Sequence, residues 1–326
     1  MHRGRRPEDM RGTPSGGFWR WQWQRWRQGL PREPASGYRF AVAEPDLAFL
    51  GANRRWPTVT WIGHSTLLFQ LDGLNLLTDP QFSPRASPAP FLGPRRRVPP
   101  VPPLQSLPHI DVVLLSHNHY DHLDRASIRS LVQQPGGSPY FFTPHGMGRW
   151  FKRQGAGEVV EMDWWSEAPF RDLRLHCVPA RHWSARTAFD RNRSLWCGWV
   201  VRGSFQILFV GDTGYSEQFR EIHRQLGPMD LAAIPIGHYE PRWFMQASHV
   251  APEEAVQIAL DLHARRAIGI HWGTFPLTDE PLDEPPRRLR VALETAGLPA
   301  DIFLVLARGE TRRIDTLLSD SPVGSH

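Results

Sequence analysis

Apolar positions fall into short blocks from Thr58 onward, too short for helices and bounded by turn residues. Residues 58–71 are rich in β-branched and apolar side chains, Gly73 marks a turn, and 74–77 resumes the apolar run, so strands are expected here. Residues 112–115 form a buried-strand block that leads straight into a group of histidines. Further strands are expected at 140–143, 173–179, 195–201, 206–210, 231–236, 267–270 and 302–306. Helical spacing fits between them at 125–133, 147–153, 216–226 and 252–263, with 286–296 as a closing helix. Pro252 takes a first-turn position with Glu253 and Glu254 beside it, which suits the positive end of a helix. No repeat of fixed period is present. Helices alternating with strand-rich halves imply sheets covered by helices in a layered α/β fold.

This frame makes 58–315 one folded domain, with an extension over 1–57 and a tail over 316–326. Residues 1–17 are polar and rich in Gly and Pro, and are read as mobile. Residues 18–30 interleave tryptophan and arginine. On a helix Trp19, Trp23, Trp26 and Leu30 share a face flanked by Arg20, Arg25 and Arg27. Such a segment suits a membrane interface with anionic lipid, and the alternative is that its tryptophans pack on the domain. A proline-rich excursion at 80–108 carries Arg95, Arg96 and Arg97. A loop this long is functional or disordered. Its triplet can meet a lipid phosphate or stay a solvated basic loop.

With 326 residues the chain can bury a large core, and 40% hydrophobic with 22% charged residues is ordinary for a globular protein. The net charge is +5. Lys152 is the single lysine, so nearly all of the positive charge is arginine, whose fork fits phosphate; a codon bias toward arginine is the preferred account of the lysine deficit. Cys177 and Cys197 lie in apolar stretches and make no disulfide framework, which points to a reducing compartment. No run approaches the roughly 20 apolar residues of a spanning helix, and no secretory h-region follows the first arginines. The expected location is cytoplasmic, with peripheral attachment to the inner face of the membrane through 18–30 left open beside packing of that segment on the domain.

The chemistry concentrates at 116–124, SHNHYDHLD, where His117, His119, Asp121 and His122 place four potential metal ligands within six positions. Histidines two apart face the same side of an extended segment, and Asp121 with His122 can address a second ion from the following turn. Imidazole and carboxylate without thiolate suit zinc with open catalytic positions. The alternative is a set of surface histidines at a strand end. Three more candidates each follow a strand: His182 after 173–179, Asp212 in the turn after 206–210, and His271 after 267–270.

This HxHxDH element, with a strand-end histidine, a Gly-Asp and a late histidine, resembles the metallo-β-lactamase superfamily. Within it the chain resembles the N-acyl-phosphatidylethanolamine-hydrolysing phospholipase D family in bacterial form. The matching stretches are TWIGHSTLLF at 60–69, LTDPQFSPRASP at 77–88, SHNHYDHLD at 116–124, GDTGY at 211–215, IPIGHYEPRWFM at 234–245 and IHWGTF at 270–275. The resemblance implies a four-layer αβ/βα sandwich and two zinc ions, other divalent metals remaining open. It gives one ion His117, His119 and His182, the other Asp121, His122 and His271, and Asp212 as the bridge. It also implies catalytic roles for Asp121, which can relay a proton, Asp212 and His249, the last near the substrate phosphate and the start of the helix at 252. His64 is read as a core or an active-site histidine. His238, Tyr239 and Arg242 are read as lining the substrate site, with a structural Arg–Glu pair the alternative for Arg242. Ser248 stands where the family has glutamine, and His145 and His238 where it has non-titrating residues.

Paired metals lower the pKa of an attacking water and stabilise charge on attacking and leaving oxygens, and a phosphodiester offers both. The expected reaction converts N-acyl-phosphatidylethanolamine to N-acylethanolamine and phosphatidic acid. Hydrolysis of a lactone, β-lactam or other ester is the alternative, and a non-catalytic membrane- or nucleic-acid-binding module a third. A phospholipid or other phosphodiester is the expected partner and nucleic acid is not; the oligomeric state is open, a homodimer included.

Overall fold

A computed structural model describes residues 17–319 except Leu30, Arg32 and Pro90. The expectations for residues 1–16, for Leu30 and for 320–326 lie outside the described residues. Helices α1 (Phe18–Gln28) and α2 (Leu47–Ala52) precede strands β1 (Thr58–Gly63), β2 (Thr66–Leu71) and β3 (Leu74–Thr78). Then come β4 (Val112–Leu114), α3 (Arg125–Val132), β5 (Tyr140–Pro144), α4 (Gly148–Arg153), β6 (Val159–Met162), β7 (Glu167–Phe170), β8 (Leu173–Val178), β9 (Gly198–Arg202) and β10 (Gln206–Phe209). The chain continues through α5 (Gln218–Leu226), β11 (Leu231–Pro235), α6 (Arg242–Met245), α7 (Pro252–Asp261) and β12 (Arg266–Ile270). It closes with α8 (Glu284–Thr295), β13 (Phe303–Leu304), β14 (Thr311–Arg313) and α9 (Ile314–Ser319).

The strands form two seven-stranded sheets, ordered β14-β1-β2-β3-β4-β5-β6 and β13-β12-β11-β10-β9-β8-β7. Each begins as an antiparallel meander and ends in parallel strands; β3, β4 and β5 are parallel in the first, and β10, β11, β12 and β13 in the second. The apolar blocks follow from this placement, because a strand covered on both faces has no polar alternation. Leu67, Phe69, Val112 and Leu114 point into the core between the sheets with Trp199, Phe209 and Ile234. Their neighbours Leu68, Leu77, Val113 and Phe141 pack outward on Ile128 and Leu131 of α3 and Phe151 of α4. Val256 and Ile258 of α7 and Leu289 of α8 cover the second sheet. Helices outside and sheets inside make the four-layer αβ/βα sandwich.

The N-terminal segment is built onto this body. Leu50 of α2 is fully buried, Val42 bridges Arg308, and Trp21 of α1 stacks on Phe244 with ring centroids 5.1 Å apart. The indole of Trp21 donates to Asp279 at 2.7 Å, and Arg25 pairs with the same carboxylate at 3.0 Å. The face expected to be apolar therefore points outward: Trp19 and Trp26 are 77% and 81% exposed, while Trp21, outside that set, is the one that packs. No described helix is long and apolar enough to cross a membrane.

Candidate metal centre

Strand β4 delivers the histidine cluster to the carboxyl end of the first sheet, where open α/β sheets place their ligands. Strand β4 is paired on both edges by β3 and β5 and covered on both faces, by the core between the sheets at Val112 and Leu114 and by the helix layer at Val113, and the chain turns only after Ser116. The His119 carbonyl accepts from the amides of His122 and Leu123 at 3.1 and 2.8 Å, a turn that brings Asp121 and His122 back over the sheet. Asp124 ends it by capping α3 through the amides of Ala126 and Ser127. Asp212 arrives from β10 in the other sheet. The residue before it is Gly211 (φ 67°), where an added Cβ would stand 2.7 Å from the Ser116 Cβ, so only glycine allows the two sheets to close here.

All seven candidate ligands converge. His117 Nε2 and His182 Nε2 lie 2.8 and 3.2 Å from His119 Nδ1. His122 Nε2 lies 3.0 Å from His271 Nε2, and Asp121 Oδ2 is 3.3 and 3.4 Å from those two atoms. Asp212 stands between the groups: its oxygens are 3.0 Å from His271, 3.1 Å from His122 and 3.8 Å from both His117 and His182. Nitrogens held tetrahedrally at roughly 2.0–2.1 Å from zinc are about 3.3 Å apart, so these spacings suit a metal.

The electrostatics agree. Burial drives His117 well below its ordinary range, and His119 and His182 down to about 3, so all three imidazoles are neutral and ligand-competent. Burial alone would raise Asp121 and Asp212, but His122, helped by His271, holds both well below the usual carboxylate range. At 2.8 Å the His117 and His119 nitrogens either share a proton in an N–H···N hydrogen bond or both turn lone pairs toward a cation. The buried His119 Nε2, His249 Nδ1 and His271 Nδ1 have no hydrogen-bond partner among the described residues. This donor set fits one or more divalent cations.

The supporting contacts fix the tautomers. His122 Nδ1 donates to Asp79 Oδ2 at 2.6 Å, and the Ser116 amide and hydroxyl donate to the same carboxylate at 2.7 and 2.5 Å. His182 Nδ1 donates to the Ser248 carbonyl at 3.0 Å, leaving Nε2 for the centre. His64, fully buried, lies with its Nε2 3.1 Å from Asp121 Oδ2. His64, Asp79, His238 and His271 all have positive φ (55°, 32°, 68° and 61°). Each such conformation costs on the order of 1–3 kcal/mol, and clustering at one site marks backbone held for function.

Asp79 was not among the sequence candidates, although it follows the block at 74–77 as the other site residues follow theirs. Two expectations are corrected. The Tyr239 hydroxyl donates to Glu284 at 2.7 Å and its ring is buried away from the cavity. Arg242 forms the structural pair, its Nη2 donating to both Glu254 oxygens at 2.8 and 2.9 Å while Nη1 holds the His249 carbonyl at 2.9 Å. His145 is exposed after β5, outside the site. His249 does line the cavity, with Nδ1 3.9 Å from Asp212, and burial takes it down to about 3. His238 lines it too, its Nε2 donating to the Phe275 carbonyl at 3.1 Å.

A cavity of about 800 Å³ opens over His119, Asp121 and Asp212. Phe18, Trp19 and Trp21 of α1, with Trp183 and Phe244, make its aromatic wall. Phe189, next in the chain to the lining residue Ala188, is 85% exposed. Arg191 stacks 4.3 Å from the Trp183 ring and Arg20 4.5 Å from that of Trp243.

A family model described as a beta-lactamase superfamily domain matches residues 74–272. The chain is 41% identical over 266 residues to an N-acyl-phosphatidylethanolamine-hydrolyzing phospholipase D of Caenorhabditis elegans, covering 77% of this chain and 74% of that one. A mitochondrial protein of the same name from Saccharomyces cerevisiae is 36% identical, over 73% of this chain and 52% of its own. Among solved structures, a metallo hydrolase from the archaeon Ignicoccus hospitalis superposes with a TM-score of 0.60 at 21% identity, over 79% of this chain and 98% of that one, a likeness of fold alone.

Proposed function

The chain belongs to the beta-lactamase superfamily and, within it, to the N-acyl-phosphatidylethanolamine-hydrolysing phospholipase D family, a metal-dependent hydrolase by that membership; we propose that it cleaves the phosphodiester of N-acyl-phosphatidylethanolamine to N-acylethanolamine and phosphatidic acid. The observation that carries this reading is the meeting of two surfaces in one cavity. Its floor is the His/Asp cluster and its wall is the aromatic face of α1, so one lipid can present a phosphate to the first and acyl chains to the second.

Two zinc ions fit the donor set, one held by His117, His119 and His182, the other by Asp121, His122 and His271, with Asp212 between them. When bound, they supply Lewis acidity toward the phosphoryl oxygens and lower the pKa of the attacking water. His249 is neutral at pH 7, so its ring holds a phosphoryl oxygen or a water by hydrogen bonding and does not store a proton. Arg242 sets its position through the backbone carbonyl. His64 orients Asp121, and the aromatic wall excludes water from the diester. His238 presents its ring to the substrate. The test is mass spectrometry of products from N-acyl-phosphatidylethanolamine. N-acylethanolamine with phosphatidic acid is expected; turnover of lactones with no diester cleavage would overturn the assignment.

Loading should be pH-dependent. Burial lowers His122 and His271, but Asp212 and Asp121 outweigh it and leave both raised, so in the metal-free protein their protons compete with the ion. Affinity at this group should therefore fall about tenfold per pH unit and per displaced proton as pH drops through the raised values. Zinc titrations at about pH 7 and about pH 6 check it; equal affinities would rule the competition out.

The exposed Trp26 and Phe189, with Arg27 beside Trp23, would seat the cavity mouth on an anionic bilayer. Trp26→Ala combined with Phe189→Ala is expected to weaken flotation with anionic vesicles about tenfold or more while leaving hydrolysis of a short-chain soluble diester unchanged. Equal flotation of variant and parent would remove this surface as an anchor.

A further inference from the structure

His238 stands in the turn after β11 with its backbone in the left-handed region, and one short segment of chain holds it there. Glu280 is buried. Its Oε1 accepts from the His238 amide at 2.5 Å and from the Thr278 hydroxyl at 2.9 Å. Its Oε2 accepts from the Glu240 amide at 3.1 Å, and the Asp279 amide donates back to the Glu240 carbonyl at 3.1 Å. Among the described residues Glu280 makes no ion pair, so its charge is met by neutral donors alone. A carboxylate is costly to bury, and two charge-assisted bonds to amides two residues apart fix a turn that non-glycine residues rarely adopt.

The ring is fixed from the same segment. Its Nε2 lies 3.1 Å from the Phe275 carbonyl, and a carbonyl only accepts, so Nε2 carries the ring proton. A second proton on Nδ1 would put a cation on a ring centred 4.3 Å from that of His271, buried beside a centre that suits divalent cations. Nδ1 therefore keeps its lone pair. It makes no hydrogen bond among the described residues, and the ring lines the cavity.

An acceptor at this place has one match in the substrate. With its phosphate ionised, a diacyl N-acyl-phosphatidylethanolamine has a single hydrogen-bond donor, the amide N–H. That nitrogen is two carbons from the oxygen that leaves phosphorus. The His238 ring is centred 4.3 Å from that of His271 and 6.2 Å from that of His249, so a group two carbons from an oxygen at the centre comes within its reach.

We propose that His238 is a specificity-determining residue that accepts a hydrogen bond from the substrate's amide N–H, and that Glu280 is the positioning residue that aims it. This rests on the phosphodiesterase reading above, and adds what distinguishes an N-acylated headgroup from one acylated through an ester. Water on Nδ1 would fill the same place without selecting a substrate, and the experiment separates the two.

The metal-loaded full chain is given two lipids in the same phosphatidylcholine vesicles, and release of phosphatidic acid is measured from each. One is N-acyl-phosphatidylethanolamine; the other is its ester analogue, with oxygen in place of the amide N–H. The parent should prefer the amide about 10–100-fold in kcat/KM, because the ester turns a lone pair toward Nδ1. His238→Ala should bring the two rates level. Glu280→Gln, which sets an NH₂ group against one of the two backbone amides, should narrow the ratio as well. Metal loss or loosened packing lowers both rates together and leaves the ratio where it is. A parent that cleaves both lipids equally overturns the proposal while the phosphodiesterase reading stands. A parent that cleaves neither removes that reading and this one with it. A ratio that survives His238→Ala also overturns the proposal, and one that survives Glu280→Gln removes Glu280 as the positioning residue. Where one variant does not fold, the other decides together with the parent's ratio.

Discussion

Asp212→Asn is expected to lower phosphodiester turnover about 10³-fold or more and to strip metal from the protein. The carboxylate stands within 3.0–3.9 Å of five imidazoles: His117 and His182 of one candidate ligand group, His122 and His271 of the other, and His249 beside them. Asparagine keeps the shape but loses the charge, and it turns one acceptor oxygen into an N–H donor. An amide nitrogen cannot serve as the second arm of a bridge. Two cations so close would lose their shared anion, and the stabilisation they give a phosphoryl group is several kcal/mol, with each ~1.36 kcal/mol worth tenfold in rate. Metal analysis and turnover should fall together. A variant that keeps both metals and the parent rate would remove Asp212 from the bridging position.

That the seven candidate ligands were legible in the sequence follows from how the fold presents them. Each ends or follows an apolar block, and the carboxyl ends of parallel strands from both sheets meet at one crevice. His122 and His271 come within 3.0 Å across 149 positions of sequence for this reason alone. What the sequence hid is equally physical. Strands β6, β7 and β14 lie at sheet edges, where one side is unpaired and the apolar pattern is weak. β7 reads Glu-Ala-Pro-Phe, with a proline that only an edge tolerates. The run 58–71 reads as continuous, yet it turns at His64 and Ser65, because His64 takes a left-handed conformation that its residue type does not announce.

Side-chain partners were the other gap. Tyr239 and Arg242 sit in a motif shared with the family, and a shared motif does not distinguish a residue that touches substrate from one that holds the wall. Glu284 and Glu254 settle it by claiming them. The tryptophan helix is also split by tertiary contacts: Asp279 takes the Trp21 indole, and Trp19 and Trp26 are left outside. Periodicity alone assigns a face, while the partner decides which side of the helix is buried.

Asp79→Asn is expected to reduce turnover by about 10²–10⁴-fold with the fold intact, although Asp79 positions His122 and does not itself touch substrate. In the parent the carboxylate accepts from His122 Nδ1 at 2.6 Å, so the proton that His122 gives up to a metal is the one on Nε2, which faces His271 and Asp212. In the variant the Ser116 amide keeps the introduced amide's oxygen as its acceptor, so the new NH₂ group faces His122. It donates to Nδ1 and moves the imidazole proton to Nε2, where the metal ligand should be. The same kind of substitution beneath the histidine of a serine-protease triad costs about 10⁴ in kcat through the wrong tautomer, and losing a partner behind a metal ligand costs roughly 10–100-fold in affinity. Asp79→Ala supplies the contrast, since it removes the acceptor without imposing a donor. If tautomer control is the mechanism, Asp79→Asn should bind metal more weakly than Asp79→Ala despite fitting better. Histidine NMR of the metal-free variants, at a pH above the raised His122 titration where the ring carries a single proton, reads which nitrogen holds it and separates this from a loss of packing; a proton still on Nδ1 in Asp79→Asn would overturn it.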